Sequence, residues 1–210
     1  YSNNTDVGTA GVTITGTGNY SGSLEASFEI VLKDVSALTV GEISDQEYTG
    51  DALSPPVVVT DGGATLTQGT DYTVSYSNNT DVGTAGVTIT GTGNYSGSLE
   101  ASFEIVALDS SALTVGAISD REYTGDALSP PVVVTDGDET LTAGVDYTVS
   151  YSKNTDVGLA VVTIELQGNY SGVEEVSFMI TPKAMLVSAE QGQSKEYGEA
   201  EPAFTYSYAG

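Results

Sequence analysis

The sequence contains no histidine, cysteine or tryptophan, and it has very few cations. Its 210 residues include 29 Asp and Glu but five Lys and Arg, so the formal net charge at pH 7 is -24. Without His or Cys there is no Ser-His-Asp triad, cysteine nucleophile, disulfide, or imidazole or thiolate zinc ligand. Carboxylate, hydroxyl and amide groups are left for chemistry. These absences exclude most classes of enzyme.

The shortage of cations also argues against nucleic acid as a partner. Binding a phosphate backbone requires clustered Lys and Arg. The five cations are instead scattered along the chain, at Lys33, Arg121, Lys153, Lys183 and Lys195. No run of about 20 apolar residues is present for a membrane-spanning helix, so we expect no membrane insertion. The hydrophobic content of 39% is nevertheless sufficient for folded cores.

What the sequence does contain is a repeat of 75 residues. Residues 1–31 recur without a single change at residues 76–106, and a third, partly changed copy begins at Tyr151. The stretch that starts at Ser36 likewise returns from Ser111. The last residues, from Ala184 onward, align more loosely and are interpreted as the opening half of a divergent unit.

One repeat contains five short runs that are rich in Val, Ile, Thr, Tyr and Phe and are bounded by turn residues. They are residues 38–40, 57–59, 72–76, 85–89 and 101–105. In the last three, apolar residues alternate with Thr, Ser and Glu, the pattern of an antiparallel strand with one buried face. No segment has the apolar spacing of a helix. We predict an all-β fold of tandem small antiparallel β-sandwiches in an elongated array.

The short polar linkers after these runs predict where the repeats begin and end. We expect complete units at 33–107 and 108–182, the C-terminal half of a unit at 1–32, and the N-terminal half of a divergent unit at 183–210. A boundary at the tyrosine that opens each copy is the alternative, because a period does not set its own phase. Incomplete terminal units would expose an apolar face and a free strand edge, so we also expect head-to-tail self-association.

The pentapeptide GNYSG occurs three times and permits two interpretations. Its tyrosines, Tyr20, Tyr95 and Tyr170, would serve as an aromatic site for sugars. Alternatively the motif is a turn or corner, in which Gly and Asn tolerate positive φ, the tyrosine ring packs, and its hydroxyl forms a hydrogen bond to a nearby backbone group. The second interpretation is favoured.

Carboxylates suggest a weak Ca²⁺ hypothesis. The loops at residues 60–63 and 135–139 offer oxygen ligands, but neither has EF-hand spacing, and a plain hairpin turn is favoured. A junction site would need acids from separate places in the sequence to converge. Those acids are Glu42, Asp45, Glu47, Asp51 and Asp109. We predict no catalytic, cofactor-binding or metal-binding residue, and no covalent Lys-to-Asn link within residues 36–110, which contain neither Lys nor Arg.

Two stretches carry a resemblance to known families. Residues 71–105, DYTVSYSNNTDVGTAGVTITGTGNYSGSLEASFEI, resemble the Ig-like repeats of large bacterial cell-surface and adhesin-like proteins. Residues 194–210, SKEYGEAEPAFTYSYAG, are similar to the start of the related MBG ("mostly β and glycine") repeats. The resemblance implies secreted, filamentous stalks at the cell surface or in the cell wall. It brings no catalytic or binding residue with it.

These observations lead to two functional expectations. The first is a structural spacer, whose repeats hold a distal adhesive or enzymatic module away from the cell. The second is a repeated binding module, which presents the same loops to a glycan or a host protein and gains from avidity. Neither hypothesis makes the chain an enzyme.

Overall fold

The computed structural model describes residues 1–209, and these residues are all-β apart from two single-turn 3-10 helices. The predicted fold class is therefore confirmed at the level of all-β. The chain folds as two compact units, residues 1–108 and 109–210. The four sequence-based segments divide the chain more finely than this, and their boundaries stay a prediction.

The first unit opens with an antiparallel hairpin, formed by β1 (Gly8–Thr15) and β2 (Ser23–Ile30), in which Gly8 lies opposite Ile30. A 3-10 helix at Val35–Ala37 follows the hairpin. The remaining strands of this unit are β3 (Lys33–Asp34), β4 (Thr39–Val40), β5 (Gln46–Glu47), β6 (Val59–Asp61), β7 (Ala64–Thr65), β8 (Tyr72–Ser77), β9 (Gly83–Gly91), β10 (Tyr95–Ser96) and β11 (Ser98–Val106).

Two sheets of the first unit contribute to one hydrophobic core. A four-stranded sheet has the order β5-β11-β9-β8, and a three-stranded sheet has the order β4-β6-β7. β9 pairs antiparallel with both β8 and β11, whereas β5 pairs parallel with the end of β11. The buried core residues are Val35, Leu38, Val57, Val59, Tyr72, Ala85, Val87, Ile89, Phe103 and Ile105.

The alternation in the sequence accounts for this burial. Along β9, Ala85, Val87 and Ile89 are fully buried, and the residues between them, Gly86 and Thr88, are partly exposed. Successive side chains of a strand point to opposite faces, so a period of two places all three aliphatic residues against the core. The predicted half-buried antiparallel pattern is confirmed for these strands.

The second unit repeats this order of elements. Its 3-10 helix is Ser110–Ala112, and its larger sheets have the orders β14-β20-β18-β17 and β13-β15-β16. A separate hairpin of β21 and β22 follows. The strands are β12 (Leu108–Asp109), β13 (Thr114–Val115), β14 (Arg121–Glu122), β15 (Val134–Asp136), β16 (Glu139–Thr140), β17 (Tyr147–Ser152), β18 (Gly158–Leu166), β19 (Tyr170–Ser171), β20 (Val173–Thr181), β21 (Leu186–Ala189) and β22 (Tyr206–Ala209).

The sequence missed the shortest strands. β3, β5, β7 and β10 have two residues each, which is too short for any alternation to show. The predicted run at 57–59 is also shifted, because the strand begins at Val59, although Val57 is buried. Pro55 is buried and Pro56 is exposed just before this strand, where the lack of an amide hydrogen removes no ladder bond.

The loop at residues 60–63 is the predicted hairpin turn. β6 and β7 pair antiparallel with Asp61 opposite Ala64, and the two intervening glycines have φ of 56° and 94°. Positive φ at both central positions is typical of the tight turn that matches the twist of the flanking strands.

Within residues 1–209, no helix is long and apolar enough to cross a membrane.

Candidate functional site

Asn94 forms hydrogen bonds that join the N-terminal hairpin to residues 33–106. The backbone N–H of Val7 donates to Asn94 Oδ1 at 2.9 Å, and Asn94 Nδ2 donates to Asp6 Oδ1 at 3.0 Å. The carbonyl of Asn94 also accepts a hydrogen bond from the N–H of Lys33 at 3.0 Å. Asn94, in the turn between β9 and β10, therefore forms hydrogen bonds both to the loop before β1 and to β3, the strand that follows the hairpin.

The glycines of GNYSG shape this turn. Gly93 has φ of +62°, and a Cβ there would lie 2.9 Å from the carbonyl oxygen of Thr70. Gly97 has φ of +87°, and its Cβ would lie 3.2 Å from Asp34 Oδ2. Both positions therefore require glycine on grounds of conformation and space. Asn94, which the motif also offers as a residue tolerant of positive φ, does not adopt it; within the motif only the two glycines do.

Tyr95 belongs to a small polar cluster with Asp61 and Lys33. Its hydroxyl donates to Asp61 Oδ2 at 3.2 Å, and Lys33 Nζ lies 2.5 Å from Asp61 Oδ1. The predicted acceptor was a backbone group, so the prediction is wrong in this detail. The hydrogen bond from Lys33 lowers the pKa of Asp61. Burial, followed by the bond to Asp61, raises the pKa of Tyr95.

The Lys33–Asp61 contact is a partly exposed ion pair. The hydrogen bond from Lys33 favours the ionised carboxylate of Asp61, whose pKa is lowered. The second repeat has Leu108 at the position of Lys33, so this pair is not part of the repeated pattern.

The three GNYSG tyrosines have three different environments. Tyr20 is 80% exposed, Tyr95 is half-buried and Tyr170 is buried. An array of equivalent aromatic sites would need the same ring exposed in each copy. The packing of Tyr95 and Tyr170 instead supports the structural interpretation of the motif.

Two of the five acids proposed for a junction site, Asp45 and Asp109, accept hydrogen bonds from the backbone. Asp45 Oδ1 accepts from the N–H of Glu104 at 3.3 Å, and Asp109 Oδ1 accepts from the N–H of Ser111 at 3.0 Å. Asp109 thereby caps a 3-10 helix, and the hydrogen bonds from Ser111 lower its pKa. Within residues 1–209, no three Asp or Glu side chains are grouped closely enough to hold a metal ion.

A shallow hollow recurs in each copy of the repeat. It is lined by the loop before the long central strand, at residues 3–9, 78–84 and 153–159. The first residue of each loop, Asn3, Asn78 or Lys153, has positive φ. The lining residues are mainly Asn, Thr and Asp, so the hollow offers amide, hydroxyl and carboxylate groups to a ligand.

Sequence reasoning singled out the tyrosine of GNYSG and missed the neighbouring asparagine. The available signal was that Asp, Val and Asn at positions 6, 7 and 94 all recur with the 75-residue period. A period alone does not reveal which of these residues touch each other. Asn79 also recurs with the period, and the sequence likewise did not reveal its partner: Asn79 Nδ2 donates to the carbonyl of Leu53 at 2.7 Å.

A comparison with protein-family models finds no match to the chain, and a comparison with curated proteins finds none either.

Proposed function

We propose that the chain is a run of structural spacer repeats, built as tandem Ig-like β-sandwiches followed by the start of an MBG-like unit. In this proposal they form an elongated stalk of a large secreted bacterial surface protein or adhesin, outside the cell or in the cell wall, and hold a distal module away from the cell. The supporting observation is that the sequence repeats with a period of 75 residues and that one such repeat folds into β-sheets around a hydrophobic core. Such modules add length without requiring a unique site.

The charge distribution supports a solvated stalk. Two ion pairs are present in residues 1–209, Lys33–Asp61 and Lys195–Glu201, against 29 acidic residues in the sequence. Most carboxylates therefore have no cationic partner. Their mutual repulsion favours solubility and discourages lateral association of neighbouring stalks.

The Asn94 contacts support a short, defined joint rather than a flexible linker. The hairpin that ends at Ile30 is followed within three residues by β3, which pairs parallel with β10. A linker of Gly and Ser would leave the segments free to reorient. Here hydrogen bonds from Val7 and Lys33 meet at the same asparagine, which restricts that freedom.

Small-angle X-ray scattering of the full chain tests the spacer proposal. A compact chain of this length would have a radius of gyration of about 17 Å. We expect a clearly larger value, together with a pair-distance distribution that has the long tail of a rod. A value close to the compact one would refute the stalk.

The alternative is a binding module for a glycan or a host protein that acts by avidity. The observation in its favour is the polar hollow that recurs at residues 3–9, 78–84 and 153–159. A glycan array and a pull-down with the full chain test it. Specific binding that is lost when Thr5, Thr80 and Thr155 are replaced together would establish this function instead. In neither proposal is the chain an enzyme or the holder of a resident cofactor.

A further inference from the structure

Two parallel strand pairs join the start of the first repeat, residues 33–106, to its end. β3 pairs with β10, with Lys33 opposite Tyr95, and β5 pairs with β11, with Gln46 opposite Ile105. The remaining strand pairs of the four-stranded and three-stranded sheets are antiparallel. The direction of the two parallel pairs determines how a pull on the chain acts on this repeat.

The chain enters and leaves the first repeat at opposite ends of β11. It enters at Lys33, whose N–H donates to the carbonyl of Asn94 at 3.0 Å, close to the start of β11 at Ser98. It leaves after Val106, the last residue of β11. A strand rises about 3.3 Å per residue, so the two ends of β11 are separated by about 26 Å. A tension carried by the chain is therefore applied along β11.

This tension pulls β5 and β11 past each other, because the two strands run in the same direction. It acts on β5 from the N-terminal side, through residues 33–45, and on β11 from the C-terminal side, at residue 107. The two pulls are opposite and lie along the strands, so the hydrogen bonds between the strands are loaded together. Bonds that are loaded together must break in one step, whereas bonds that are loaded in sequence break singly.

We call the contact of residues 45–48 with residues 104–106 the clamp. The N–H of Tyr48, which follows β5, donates to the carbonyl of Val106 at 2.9 Å. Asp45, which precedes β5, accepts the N–H of Glu104 through Oδ1 at 3.3 Å. The clamp thus extends beyond the two paired residues of β5 at both ends, through one backbone and one side-chain hydrogen bond.

The second repeat forms the same clamp with different side chains. β14 pairs parallel with β20, and the N–H of Tyr123 donates to the carbonyl of Thr181 at 2.9 Å. Asp120 Oδ1 accepts from the N–H of Met179 at 3.0 Å. Three clamp residues differ between the repeats, and they are Gln46, Glu104 and Val106 in the first repeat and Arg121, Met179 and Thr181 in the second. The backbone pairing and the aspartate bond are thus retained while neighbouring side chains change.

We infer that the clamp makes each repeat a load-bearing element, which resists tension along the chain. The inference rests on the proposed stalk for its setting, because a stalk that holds a distal module is pulled through the two ends of every repeat. Forced unfolding is governed by the rate of unfolding. The clamp therefore gives the repeat a function besides length, which is to stay folded while the module is under load.

The direction of pulling separates this inference from a purely structural role of β5. A strand that only completes the edge of a sheet adds no resistance that depends on direction. The clamp, in contrast, resists a pull along β11, which loads its bonds together. It yields to a pull that separates β5 and β11 from a shared end, because its bonds are then loaded one after another.

Force-clamp measurements with optical tweezers on the full chain test the inference. The sequence contains no cysteine, so two introduced cysteines attach the handles at chosen positions. Leu32→Cys with Ala107→Cys pulls the first repeat along β11. Asp51→Cys with Ala107→Cys pulls β5 and β11 apart from a shared end, because Asp51 follows β5 as Ala107 follows β11. At equal force, we expect unfolding to be at least about tenfold faster in the second geometry.

Asp45→Ala and Glu47→Ala are a matched pair of variants, since both carboxylates are exposed and Asp45 bonds to β11. With handles at residues 32 and 107, Asp45→Ala should unfold roughly two- to tenfold faster, and Glu47→Ala should unfold at the unchanged rate. With handles at residues 51 and 107, Asp45→Ala should also leave the rate unchanged. In that geometry the bond of Tyr48 breaks first, and Asp45 lies at the far end of the clamp.

The second repeat provides an independent measurement if a cysteine variant of the first repeat does not fold. Ala107→Cys with Lys183→Cys pulls the second repeat along β20, and Asp126→Cys with Lys183→Cys pulls β14 and β20 apart from a shared end. Far-UV circular dichroism of each variant checks its folding before the handles are attached. The same dependence on direction is expected as in the first repeat.

Three results would overturn the inference. They are equal unfolding rates in the two directions, faster unfolding along β11 than from the shared end, and equal effects of Asp45→Ala and Glu47→Ala. Each would mean that the hydrophobic core, and not the clamp, sets the resistance to force. Scattering measures the dimensions of the chain at rest. A compact particle with a strong clamp, or a rod without one, would refute one proposal and leave the other standing.

Discussion

Residues 1–31 and 76–106 share every residue, form the same two-stranded hairpin in the same register, and differ in what lies against them. In the second copy residues 33–75, which we call the covering segment, share a core with Ile89 and Phe103 and remove both side chains from water. In the first copy, which we call the open hairpin, the same side chains remain at the surface. Local sequence therefore determines strand, turn and register, whereas the covering segment determines burial. Full burial of one such side chain stabilises by about 1.5–3 kcal/mol.

The largest expected effect comes from truncating one core side chain in each copy. Ile89→Ala leaves a cavity in a filled core and should lower the free energy of unfolding by about 2–5 kcal/mol. Ile14→Ala changes an exposed side chain and should alter it by less than about 0.5 kcal/mol. Urea unfolding followed by far-UV circular dichroism measures both. Equal losses would mean that residues 1–31 are buried in solution.

A smaller effect is expected from the tyrosine hydroxyl that binds the covering segment. Tyr76→Phe leaves the carbonyl of Pro55 without this donor and should destabilise the repeat by about 1–3 kcal/mol. Tyr1→Phe, at the corresponding position of the open hairpin, should have no measurable effect. The same denaturation experiment compares them, and a similar cost for both variants would contradict the comparison.

The pH dependence of the free energy of unfolding provides a second way to compare the Tyr76→Phe and Tyr1→Phe variants. Burial raises the pKa of Tyr76 and, in the second repeat, of Tyr151. Since the neutral phenol is favoured in the folded state, this stability is fully present below the ordinary tyrosine pKa of about 10. It is lost as the pH rises through the raised pKa. Tyr76→Phe should therefore reduce the alkaline loss of stability, whereas Tyr1→Phe should leave it unchanged.

A local effect is expected at the joint between the two copies. Asn94→Ala removes the acceptor of the Val7 N–H and the donor to Asp6, so the Val7 amide should exchange with solvent roughly two- to tenfold faster. Asn19 is the counterpart of Asn94 in the open hairpin, and Asn19→Ala is the matched control. Hydrogen exchange measured by NMR distinguishes them. An unchanged rate at Val7 in the Asn94 variant would show that the joint is not formed in solution.

The smallest effect is expected from Lys33→Ala, which removes an exposed ion pair with Asp61. The pKa of Asp61 is lowered in the folded state, so ionised Asp61 adds to the free energy of unfolding above the ordinary aspartate pKa. This contribution is lost as the pH falls through the lowered pKa. The stability difference between Lys33→Ala and the unchanged chain should therefore shrink below pH about 4 and in high salt. Lys195→Ala, which removes the other ion pair, is the control and should not alter unfolding of the first repeat.

The candidate site was less predictable than the fold. The glycines of GNYSG and the hairpin turn after Asp61 follow from conformational preferences of single residues, so the sequence predicted them. The partners of Asn94, Asn79 and Tyr95 lie far away along the chain. Such contacts depend on how the sheets are placed, and neither a period nor a propensity contains that information.

By itself, the sequence determined the all-β class, the repeat, the long strands and their buried faces, because alternation with a period of two is a local property. The tertiary structure decided which copies of that face are covered. Ile14 and Ile89 occupy the same local sequence, yet one is exposed and the other is fully buried. The physical reason is that the hydrophobic effect acts on surface removed from water. How much surface is removed depends on the covering segment, and not on the residues that form the face.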